Sequence, residues 1–178
     1  MIGFLRFVGL MNAAVWFGAA IFFTFGIGPA AFSGEMKELL GAKNAPFFTG
    51  AIAQILVARY FHLQLACGMV ALLHLVGEWV YLGRTPRGLP LGLLIGLVII
   101  GLVGGNLLQP KLKALHTTKY ATNASLSARE TADRSFRVWH GVSQGINLLM
   151  LTGLAIYLWK IGNPSDSTRF VSTSKFRG

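Results

Sequence analysis

Four ionisable side chains stand inside or at the edges of long apolar runs: His62, His74, Glu78 and His140. In a bilayer such groups mark ion or proton pathways, ligand sites, or partners for one another. His74 and Glu78 are four residues apart and share a helix face, and Cys67, seven residues before His74, falls on nearly the same face. A helical wheel also brings Arg59, Leu63 and Val70 near that stripe. A carboxylate beside an imidazole can orient a metal or haem ligand, or pass a proton. In the alternative, Glu78 stands at the interface beside Trp79 and extends to the headgroups. His62 is about 18 Å along a helix axis from His74, too far to share an ion. His62 and His140 lie within about one turn of the same membrane face and form the candidate pair for a b-type haem or a soft metal ion. The alternative is two interfacial histidines that bond water or backbone.

His140, Ser143, Gln144 and Asn147 follow the spacing 0, 3, 4, 7, which is one face of a helix. Asn12 and Asn106, on other apolar runs, are natural partners for that stripe. It serves either as hydrogen-bonding glue between helices or as the lining of a polar pathway. His116 falls in a polar connector and is expected to be exposed.

Other chemistries find no support. One cysteine in the whole chain rules out a disulfide within it and CxxC chemistry. The five methionines form no MxxM cluster, and Gly101, Gly104 and Gly105 lie in an apolar run rather than a phosphate loop. No nucleophile–base motif is apparent, so no enzyme is expected. The formal charge of +10 sits on residues flanking apolar runs, where lipid headgroups and not nucleic acid are the partners.

The elements that must position these groups are spans. Only 12% of residues are charged, about half the usual share for a soluble domain. Mean hydropathy is +0.58. Uncharged stretches of 28, 18, 23 and 22 residues follow Arg6, Arg59, Arg87 and Arg137. A helix needs about 20 apolar residues to cross, and lipid leaves the backbone no other bonding partner. The expected fold is all-α: an integral membrane four-transmembrane-helix bundle over residues 1–162, with spans at about 5–32, 58–82, 89–110 and 135–160. Residues 163–178 form a polar tail expected to be disordered. Residues 45–58 are expected to lie along the interface and turn inward at Arg59–Phe61, and Pro110 to interrupt the third helix.

Small residues recur at four-residue spacing: Gly92 and Gly96, Gly101 and Gly105, Gly141 and Gly145. Such pairs allow close helix packing, within one bundle, in a homo-oligomer, or against a partner in a membrane complex. Basic residues divide seven against nine between the two faces, and the short 83–88 linker with two arginines favours both termini in the cytoplasm.

Certain strings carry a resemblance: Ala14-Val15-Trp16-Phe17-Gly18 with Gly28-Pro29 on the first run, Arg59-Tyr60-Phe61 on the second, Asn106-Leu107-Leu108-Gln109-Pro110 on the third, and Phe136-Arg137-Val138-Trp139-His140-Gly141-Val142-Ser143 with Asn147 on the fourth. Over about residues 5–160 the pattern resembles a bacterial four-helix membrane family of unknown function that is similar to human transmembrane protein 205 and, distantly, to CopD-type copper-resistance proteins. The resemblance implies Trp16, Pro29, Tyr60, Pro110, His140, Ser143 and Asn147 as motif positions, a bacterial inner-membrane location, and a link to metal tolerance or membrane traffic. The functional expectation is a metal- or small-solute-handling transport accessory. Its alternative is a b-type haem-binding or structural subunit of a membrane complex.

Overall fold

The computed structural model describes residues 2–83 and 88–163. The linker residues 84–87 and the polar tail beyond Asn163 lie outside the described residues. Five helices make up the rest, with no strand among the described residues. Helix α1 covers residues 2–31, α2 Gly34–Leu40, α3 Ala45–Leu82, α4 residues 88–120 and α5 Leu126–Gly162. Four of them are long and apolar enough to cross a membrane.

Helices α1 and α4 each contain one widened π turn, at Phe22–Ile27 and Gly104–Leu108. Each ends two positions before a proline, Pro29 and Pro110. Gly28 N–H reaches back to Phe23 C=O, and Gln109 N–H to Gly104 C=O, five residues in both cases. A proline removes a helical N–H and crowds the preceding turn. The wider turn relieves that crowding and the helix runs on. Pro110 therefore does not interrupt α4, which continues to Tyr120. Helix α3 is also unbroken from Ala45 to Leu82, with no glycine or proline at Arg59–Phe61 to turn it. The connector at residues 33–43 contains α2, capped by Ser33, whose hydroxyl accepts from Met36 N–H at 3.2 Å. Gly41 ends it at φ 75, a left-handed conformation that glycine adopts without Cβ strain.

Neighbouring spans are antiparallel and close a ring: α1 packs on α3 and α5, and α4 packs on the same two. Trp16, Leu94, Leu97 and Leu154 fill the centre. Much of the outer surface is apolar, with Phe4, Phe22, Leu73, Val80, Leu107 and Leu149 all exposed. A soluble bundle would hide such residues, whereas a bilayer solvates them.

Packing contacts fix the depth of each span. A Cβ on Gly50 would meet His116 and one on Gly104 would meet Phe61, which sets α3 against α4. Gly9 against His74 sets α1 against α3, and Lys111 over the Trp139 ring at 3.8 Å sets α4 against α5. In this register Arg6, Glu78, Gly88 and Lys160 share one depth. Gly28, Ile55, Lys111 and Trp139 share another, some 35 Å away at 1.5 Å per residue. That separation matches the hydrocarbon thickness plus its polar margins. Beyond the second depth α3, α4 and α5 continue for about 14–20 Å and, with α2, build a cap outside the hydrocarbon.

A polar line through the bundle and a buried histidine in the cap

The inner stripe of α3 reads Tyr60, Gln64, Cys67, Ala71, His74, Glu78. All but Glu78, whose side chain is 33% exposed, are buried. The alternating steps of four and three keep these positions on one face over five turns. Arg59, Leu63 and Val70, grouped with this stripe on the wheel, are exposed on the neighbouring face. A wheel places residues within about a third of a turn, and here that distance separates core from lipid.

At the cap end of the line, a directed chain of hydrogen bonds joins three helices. Tyr60 O–H donates to Asn147 Oδ1 at 3.4 Å, Asn147 Nδ2–H donates to Thr24 Oγ1 at 2.8 Å, and Thr24 O–H donates to Ala20 C=O at 2.8 Å. Phe23 stacks on the Tyr60 ring, centroids 4.2 Å apart. The π turns of α1 and α4 lie at this same depth. Phe23 and Thr24 belong to the first, and Gly104 and Gly105 of the second pack on Phe61. Deeper in the bundle, Trp16 Nε1–H donates to Gln64 Oε1, and Asn12 Nδ2–H donates to Cys67 C=O at 2.9 Å. At the far end His74 Nε2 stands 3.9 Å from Glu78 Oε1. Gln64 Nε2 and His74 Nε2 are buried with no hydrogen-bond partner. From Tyr60 to Glu78 the line spans about 27 Å, nearly the whole hydrocarbon thickness.

The α5 stripe divides. Asn147 faces the core and Ser143 is half-buried, while His140 and Gln144 face outward and contact each other at 3.3 Å. The expectation that all four share one functional face is corrected accordingly, because a 0, 3, 4, 7 set straddles the boundary between buried and exposed surface. Asn106 is exposed and bonds its own helix, Nδ2–H to Leu102 C=O at 3.1 Å. His62 is exposed on α3, which lies diagonally across the bundle from α5. The structure therefore does not bring His62 and His140 together, and the two do not fit a shared haem. Cys67 and His74 share the inner stripe but stand two turns apart. Among the described residues no three His, Cys, Asp or Glu side chains converge as metal ligands.

The glycines also divide. Gly101 and Gly105 lie on packing surfaces, against Leu65 and Phe61. Gly92, Gly96, Gly141 and Gly145 face open space, so they make no close helix contact within the protomer. The close approaches use Gly9, Gly50, Gly68, Gly104 and Gly153 instead. Four-residue spacing alone does not reveal which face of a helix is inside.

His116 is the residue most displaced from expectation. It is 6% exposed, buried in the cap among Phe47, Tyr120 and Phe136, with Gly50 against its Nε2. Burial holds its pKa below the ordinary imidazole value, Lys119 adds to the lowering, and a hydrogen bond with the Pro46 backbone opposes it. Beside it Lys119 Nζ pairs with Asp133 Oδ1 at 2.6 Å, and Arg137 with Asp133 Oδ2 at 3.2 Å. The hydrogen bond from Lys119 is the main reason the Asp133 carboxyl sits below its usual range, and the same bond raises Lys119. The cap was only partly legible: Asn44-Ala45-Pro46 reads as a helix start and 111–120 permits a helix, as found, but the charge along 111–137 makes that stretch read as a connector.

An all-helical ring of four spans with an apolar exterior and a polar interior line defines a multi-pass membrane bundle. The chain belongs to the family defined by a domain of unknown function, DUF4149, which matches residues 11–121. No curated protein and no solved structure matches it.

Proposed function

We propose that this protein is a small-solute-handling component of membrane transport, and that the solute carried along the inner stripe of α3 is the proton. One observation supports this above others: the inner stripe of α3 carries buried polar groups at Tyr60 and Gln64 toward one end and His74 beside Glu78 at the other, with Cys67 between them, and two of the buried nitrogens are unpartnered among the described residues. Intramembrane polar groups cost free energy, and lines of them characterise proton relays. Imidazole and carboxylate exchange protons near neutral pH. The resemblance to the transmembrane protein 205 family and the CopD-type proteins favours transport, and we read the location as a bacterial inner membrane with both termini in the cytoplasm. The metal-handling version is weaker, since no ligand set converges among the described residues. In proteoliposomes with a trapped pH dye and an imposed potassium diffusion potential, the protein should accelerate proton entry. Rates equal to those of empty vesicles would refute the reading.

A second reading, a structural subunit, has its own observation. Gly92, Gly96, Gly141 and Gly145 leave shallow outward surfaces on α4 and α5 that another helix, from a second copy or a partner, can approach closely. A cysteine at Gly96 or Gly145 in a Cys67→Ser background should then crosslink in native membranes, and monomer throughout would count against it.

A further inference from the structure

The inner stripe of α3 carries its polar groups in two pieces. His74 is ten residues beyond Gln64, about 15 Å along the helix. Between them Ala71 has no exchangeable proton, and Cys67 has only a thiol, a weak donor and acceptor. Two aromatic side chains from other helices occupy that depth. Trp16 of α1 packs its ring against Gly68 and donates its indole N–H to Gln64 Oε1. Tyr157 of α5 is 3% exposed and meets the Trp16 ring edge-on, centroids 6.2 Å apart. Tyr157 is three residues before Lys160 and His74 is four before Glu78, and Lys160 and Glu78 share one depth. Phenol and imidazole therefore start about 5 Å inward of that level. Helical side chains lean toward their own N-terminus, so on the antiparallel α1 and α5 the Trp16 and Tyr157 rings lean toward each other across the gap. The Glu78 carboxylate is within electrostatic reach of the Tyr157 hydroxyl.

Phenylalanine would fill the same space against Trp16, so packing does not account for the hydroxyl. A phenol O–H both accepts and donates, which the indole N–H beside it cannot do. We infer that Tyr157 is the proton carrier between the His74–Glu78 pair and the Gln64 end of the line, an assignment that rests on the proton reading above. The protonated His74 or Glu78 gives its proton to the phenol oxygen as the phenol releases its own on the inner side. The phenol stays neutral, and one proton has moved inward. Rotation of the O–H resets it. Trp16 carries no proton; its indole N–H holds Gln64 and so positions the receiving end.

The test is the initial rate of acidification of proteoliposomes holding the full chain at equal density. Wild type is compared with Tyr157→Phe, Glu78→Gln and, as a control, Tyr81→Phe, which removes a phenol 61% exposed near the end of α3. Tyr157→Phe keeps the ring against Trp16 and should lower the protein-dependent rate at least about tenfold, since a positioned proton-transfer group contributes about a hundredfold or more. Maleimide labelling of the buried Cys67 should be unchanged, and Tyr81→Phe should match wild type. A Tyr157→Phe rate equal to wild type, with Glu78→Gln inactive, would overturn the assignment and leave the proton reading standing. A lowered rate with faster Cys67 labelling would mean a packing role, and an equal loss in Tyr81→Phe would mean a nonspecific effect; either overturns the assignment as well. A wild-type rate no greater than that of empty vesicles would overturn both the assignment and the proton reading.

Discussion

Tyr60 and Asn147 stand on helices that do not adjoin, yet the tyrosine hydroxyl crosses the centre of the bundle to donate to the asparagine carbonyl. Asn147 passes the interaction on to Thr24, so three spans are tied at one depth. A chain whose middle groups, here Asn147 and Thr24, both donate and accept is reinforced by polarisation in a low-dielectric interior.

Removing the middle of that chain should be felt on both sides. Asn147→Ala is expected to destabilise the bundle by about 1–3 kcal/mol, from two intramembrane hydrogen bonds and a stranded hydroxyl. Tyr60→Phe removes only the terminal donor and should cost about 0.5–1.5 kcal/mol. The lone thiol reports this directly. Cys67 is 5% exposed, so maleimide labels it only when the bundle opens. Asn147→Ala should speed labelling about tenfold for each 1.4 kcal/mol lost. Unchanged labelling would mean that the Tyr60–Asn147–Thr24 chain carries little stability.

Glycine substitutions should sort by face. Gly50→Ala drives a methyl into the His116 ring, and Gly104→Ala drives one into Phe61. Overpacking of this kind costs about 1–3 kcal/mol. Gly141→Ala meets open space and should leave the thermal midpoint of the protomer unchanged or slightly raised. Midpoints measured in one detergent decide it, and equal effects at all three positions would contradict the packing described.

The cap should weaken at acid pH in two stages. His116 has a folded pKa below its unfolded value, so its neutral form belongs to the folded state. Stability is therefore full above about pH 6.5 and falls as pH drops from there toward the lowered folded value. Asp133 is also lowered, and its share is present above about pH 4 and lost as pH falls through its folded value. Lys119 is raised, so its share persists at neutral pH and is lost only when alkali deprotonates it. Thermal midpoints against pH should show the first stage vanish in His116→Phe and the second in Asp133→Asn. Identical profiles in wild type and both variants would refute the assignment.

The spans were legible in the sequence because lipid imposes one simple condition, an uncharged run of about 20 residues. The same condition concealed their true lengths. Residues 112–120 and 126–134 are helical because they pack on one another, and the first of them also on α3, a tertiary cause that hydropathy does not register. Asn147, Cys67, His74 and Glu78 were found by type and spacing. Thr24 and Gln64 escaped notice, since an isolated polar residue in an apolar run has no pattern until a neighbouring helix supplies its partner. His62 and His140 drew attention by chemistry, yet a one-position rotation around each helix decides between core and lipid.

The central claim is that the inner stripe of α3 passes protons between His74–Glu78 and the Tyr60 cluster. The direct measurement is the initial rate of vesicle acidification for wild type and Glu78→Gln, reconstituted at equal protein density and checked for equal folding by Cys67 labelling. The account predicts a protein-dependent rate that Glu78→Gln reduces to near the empty-vesicle background. A wild-type rate no greater than that background, or a Glu78→Gln rate equal to wild type, would contradict it.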